Sequence, residues 1–67
     1  MVRLKVKEIA KEHGISQGRL SRISDVDIKT IKRIYRDPCT VVTTETLGKI
    51  AKALGIDASE LIENAPY

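Results

Sequence analysis

The chain has 67 residues, 42% of them hydrophobic, with 12 Lys plus Arg against 9 Asp plus Glu and a net charge of +3. That length bounds the protein to a single domain, expected over residues 1–67, with a core small enough that a partner subunit would add useful stability. One His and one Cys offer no nucleophile and base pair and no metal set, so catalysis, metals and cofactors are not expected. Tyr35 and Tyr67 are the only aromatics, too few for the stacking platform of a single-strand binder. No apolar run approaches the roughly 20 residues of a membrane span. The start MVRLKVKEIA lacks the apolar centre of a signal peptide, and the lone Cys39 cannot form an intramolecular disulfide, so the expected location is the cytoplasm.

Val2, Leu4 and Val6 alternate with Arg3 and Lys5, which allows a short N-terminal strand. Val6, Ile9, Ala10 and His13 then follow helical spacing, and Gly14 supplies a left-handed stop, so a first helix is expected over Lys5 to His13. His13, in the last turn, suits a capping role there better than a metal or catalytic one. Ser16 can cap a second helix over Gln17 to Ser24, with Ile15 and Leu20 as the hydrophobic staple that sets its direction. Asp25 and Val26 interrupt it. Asp27 caps a third helix, Val26 and Ile31 repeat the staple, and Asp37-Pro38 ends it because the residue before proline is pushed out of the helical region. After a loop over residues 37–42, Thr43 is the expected cap of a fourth helix, whose Leu47, Ile50, Ala51 and Leu54 form one apolar stripe up to Gly55. Asp57 and Glu60 have capping-box spacing, and Ile56 and Leu61 make a third staple, so a fifth helix is expected.

Charge is concentrated in the middle of the chain. Between Arg19 and Arg36 lie six cations (Arg19, Arg22, Lys29, Lys32, Arg33, Arg36) against two acids (Asp25, Asp27), a net +4 in this window alone. At about 100° per residue, Ile34, Tyr35 and Asp27 fall near Ile31 on an inward face of the third helix. Lys29, Lys32, Arg33 and Arg36 share the outward sector, with Ile28 at its edge. Most such runs are solvated faces. Here a tight turn from another helix introduces the basic one, which is how a helix is presented to the major groove of DNA.

Gly14 to Asp37 resembles the lambda-repressor-like, Cro-type helix-turn-helix family, also called the xenobiotic-response-element type. The resemblance lies in Ser16-Gln17, Leu20, the turn aliphatic Val26 and the run Ile31-Lys32-Arg33-Ile34. The later stretch TLGKIAKALGIDASELIE, Thr46 to Glu63, is similar to the family's fourth and fifth helices. The chain departs from the family at Asp25 and Asp37, where many members have Gly, and at Tyr35, where many have Glu. The turn is therefore expected to be slightly reshaped and the exit from the third helix to differ.

The resemblance implies that Gln17 holds a backbone phosphate, the alternative being an exposed glutamine with no role. Lys29 and Arg33, at i and i+4, can each donate to guanine O6 and N7 or to phosphate. Ile28 either packs on a thymine methyl or closes the core edge. Lys32 and Arg36 lie where phosphate anchoring is expected. With Asp27 at the helix start, these residues form the candidate DNA-binding set.

The expectation is therefore an all-α, five-helix, sequence-specific double-stranded DNA-binding transcriptional regulator, most simply a repressor. A homodimer follows because one reading head covers few base pairs. Its surface is expected in the Val2-Leu4-Val6 and Leu61-Ile62 segments, the apolar residues left over after the helix stripes. The rival reading is a protein-interaction module, an antitoxin or adaptor that grips an acidic partner.

Overall fold

The computed structural model describes residues 2–64, so Tyr67 lies outside the described residues. The elements are β1 (Val2–Leu4), α1 (Val6–Glu12), α2 (Gln17–Ser24), α3 (Ile28–Arg36), α4 (Thr44–Leu54), a 3-10 turn (Ala58–Leu61) and β2 (Ile62–Asn64). The fold is mostly helical, as expected, and the N-terminal strand is present. The fifth helix is corrected to a 3-10 turn of four residues followed by a second strand.

The reason for that correction lies at the other end of the chain. Asp57 and Glu60 do cap as their spacing implies: the Asp57 N–H donates to Glu60 Oε2 at 3.0 Å and the Ser59 N–H to Asp57 Oδ1 at 3.2 Å. Beyond Leu61 the backbone turns extended because β1 offers it an antiparallel ladder, with Leu4 opposite Ile62 and Arg3 opposite Glu63. The Lys5 N–H reaches the Leu61 carbonyl at 2.8 Å, and Arg3 pairs with both Glu63 (2.9 Å) and Glu8 (3.2 Å). A helix of one turn fixes many dihedrals for few hydrogen bonds, so pairing with β1 prevails.

The helix starts are governed by short polar side chains. Ser16 Oγ accepts from the Arg19 N–H (3.3 Å), Asp27 Oδ1 from the Lys29 N–H (2.9 Å) and Thr43 Oγ1 from the Thr46 N–H (3.1 Å). Each satisfies an amide that the helix itself leaves without a partner. At the end of α1, Gly14 is left-handed at φ +67°. The His13 ring caps the preceding turn, its Nδ1–H donating to the Ile9 carbonyl at 2.8 Å.

Leu20, Ile31, Ile34, Ile50, Leu61 and Val6 are the largest fully buried side chains, and the expected α4 stripe is buried with them. The dimer segments need correction on the same ground. Leu4, Val6 and Leu61 belong to the core, leaving Ile62 exposed at 40%, and the Val2 side chain is outside what is described. Leu4→Lys would therefore disrupt the core and cannot report on a dimer.

Asp25 sits between α2 and α3 at φ 59°, ψ 34°. A non-glycine residue pays a steric penalty there, about 1–2 kcal/mol in general and less for Asp. Asp25→Gly is thus expected to raise stability by up to about 1 kcal/mol, and Asp25→Val to lower it. Chemical denaturation of the three proteins checks the order.

Candidate nucleic-acid interface

The angle between α2 and α3 is held by two serine hydroxyls. Ser21 Oγ donates to the Val26 carbonyl at 2.6 Å, while the Asp25 and Val26 amides both donate to the Ser21 carbonyl. Ser24 is buried, and its hydroxyl donates to the Leu20 carbonyl. A buried hydroxyl is costly unless paired, so these bonds make the turn polar inside yet satisfied. Neither serine stood out in the sequence. The signal was their placement one and four residues before the left-handed Asp25.

On α3, Ile31 and Ile34 face the core, 0% and 1% exposed, and Tyr35 is half-buried against it. Burial raises the pKa of the Tyr35 phenol above its ordinary 10.0, so the hydroxyl is a hydrogen-bond donor throughout the neutral range. Asp27, expected inward, is exposed. Its carboxylate is drawn back over the first turn by the Lys29 amide. It therefore orients α3 by capping its first turn.

Lys29, Lys32, Arg33 and Arg36 are all exposed. The ion pairs among the described residues are Arg3–Glu8, Arg3–Glu63 and Lys49–Glu45, and none of them involves these four cations. Ile28 is half-buried and packs on the core. Gln17 is half-buried at the first position of α2, directly after the Ser16 cap.

The exit of α3 is set by one local contact and one remote in sequence. Asp37 is extended at φ −131°, and its carboxylate accepts from the Cys39 N–H at 3.2 Å. The next carbonyl, Pro38, accepts from the Leu4 N–H at 2.7 Å. The far end of the basic helix is thereby tied to β1, which position along the chain gives no means of anticipating. Lys7 and Lys11 of α1 also stand outside the candidate set. They line a surface cleft with Ser16, Gln17 and Tyr35, and their i, i+4 spacing was the available signal.

Two short helices joined through a left-handed residue, the second carrying a cationic outer face on an anchored scaffold, define a helix-turn-helix domain. Residues 5–66 match the family model of the Cro/C1-type HTH DNA-binding domain, and the chain belongs to that family. No curated protein matches it. Among the described residues no helix is long and apolar enough to cross a membrane, and no group of three or more His, Cys, Asp or Glu is placed to hold a metal ion.

Proposed function

We propose that the protein is a single-domain, non-enzymatic, sequence-specific transcriptional regulator that binds double-stranded DNA in the cytoplasm as a homodimer and represses by occupying its site. The observation that carries this reading is the set of four exposed cations on α3, unpaired among the described residues, in a chain of the Cro/C1-type HTH DNA-binding domain family. In this reading α3 enters the major groove while α2 lies across the backbone. Lys29 and Arg33 read base edges, Ile28 offers its exposed part to a thymine methyl, and Gln17, Lys32 and Arg36 hold phosphates. Asp27 serves by orienting the helix.

Selection from a random duplex library tests the reading. One α3 covers only a few base pairs, so the selected site should be an inverted repeat with half-site centres about 10 base pairs apart. Lys29→Ala and Arg33→Ala should each relax preference at particular positions, by about 1–3 kcal/mol where the contact is bidentate. Gln17→Ala and Arg36→Ala should weaken all sequences alike. An unaltered motif in the Lys29 and Arg33 variants would reassign the base readers. For the dimer, Ile62→Lys changes an exposed position and should lower both self-association in sedimentation and DNA affinity. A monomer at high concentration that selects a non-palindromic site would overturn the homodimer.

A further inference from the structure

The two charged stripes of α1 lie on adjacent flanks of the helix. At about 100° per residue, Lys7 and Lys11 fall on one flank of the helix, and Glu8 and Glu12 on the next. The tertiary contacts respect the division: the lysines line the cleft with Ser16, Gln17 and Tyr35, whereas the glutamates line another with Ile9, Ile56 and Glu60. Both lysines are exposed, and neither makes an ion pair among the described residues. Two ammonium groups one turn apart repel each other, and no acid of the cleft relieves that repulsion. Its other polar lining residues include Tyr35 and Gln17. Tyr35 follows Lys32 by three residues, so the two lie on adjoining faces of α3. Tyr35 is thus the residue through which α3 borders the α1 cleft.

We propose that Lys7 and Lys11 form a second anchoring site for a backbone phosphodiester of the bound duplex, beside the α3 contact and outside the helix-turn-helix itself. The inference rests on the duplex-DNA reading above. A phosphodiester carries one negative charge on acceptor oxygens, and lysine meets it as a flexible point charge. Such a contact adds affinity and fixes register without reading sequence.

The test uses the full chain and the duplex obtained by selection. Lys7→Ala/Lys11→Ala should lower the steepness of the log affinity against log salt plot by about 0.9 per subunit, the value for one lost phosphate contact, and leave the selected motif unchanged. Replacing phosphates of the duplex one at a time by neutral methylphosphonates should reveal positions that weaken the native protein severalfold and leave the double variant unaffected. Lys7→Arg/Lys11→Arg should restore both the slope and the methylphosphonate pattern. An unchanged slope with an identical methylphosphonate pattern in the alanine variant would overturn the anchoring site while leaving the DNA reading intact. Failure of the native protein to bind any duplex would instead remove the reading itself, and the site with it.

Discussion

Raising the salt concentration from about 50 to about 200 mM is expected to weaken binding to duplex DNA by at least two orders of magnitude, with a log–log slope of roughly −4 to −8 for a dimer making a few phosphate contacts per subunit. The expectation follows from the charge distribution. The window from Arg19 to Arg36 alone carries a net +4, while the whole chain is only +3. On α3 the cations are exposed and free of ion pairs among the described residues. Each phosphate they neutralise releases condensed counterions, and that release is what added salt opposes. Fluorescence anisotropy of a labelled duplex across a salt series measures the slope. A value near zero would sink the DNA reading. It would favour the adaptor, whose defined protein complex should show little preference among DNA sequences.

Leu20→Ala is expected to cost about 2–5 kcal/mol, the largest effect of a single core substitution considered for this chain. Leu20 is fully buried and lies on α2, which packs against both α3 and α4. Truncation removes its transfer free energy and leaves a cavity where three helices meet. At roughly 0.05–0.15 kcal/mol per residue, a chain of 67 residues has about 3–10 kcal/mol in total. The loss is therefore comparable with the whole stability of the domain. Urea denaturation followed by circular dichroism should show a greatly reduced midpoint or a largely unfolded protein at 25 °C. The neighbouring Ile23, 47% exposed on the same helix, is the control: Ile23→Ala should stay within about 0.5 kcal/mol of the parent, as exposed positions usually do. A Leu20 variant as stable as the control would mean that α2 is not held by the core described.

Whether such a domain binds DNA and whether it is stable are linked through α2 and α3. Their relative angle depends on the Ser21 and Ser24 hydroxyl bonds and on Val26, buried at 8% exposure beneath the turn. A variant that loosens the turn should lose sequence discrimination before it loses nonspecific affinity. Base contacts require registry with the groove edges, whereas phosphate attraction tolerates displacement.

Local physics written into the chain determined the four main helices. Ser16, Asp27 and Thr43 cap where their side chains can reach an amide two or three residues on, and Gly14 and Gly55 stop α1 and α4 because left-handed backbone costs them little. Helical periodicity likewise placed Ile31 and Ile34 inward and the four cations of α3 outward. These are interactions over a few residues, and their outcome depends little on the rest of the fold.

What tertiary structure alone decided comes from partners far apart in sequence. Leu4 meets Ile62 in a two-stranded ladder, which turned the expected fifth helix into a 3-10 turn and a strand. The same strand buries Leu4, caps the Pro38 carbonyl after α3 and leaves Ile62 exposed. Lys7 and Lys11 join Gln17 and Tyr35 only because α1 packs beside α3. Asp27 faces solvent because its own capping bond outweighs the inward position that helix periodicity assigns it. Periodicity reports which side of a helix is apolar, but which neighbour that side meets is set by core packing and by the requirement that buried backbone groups find partners.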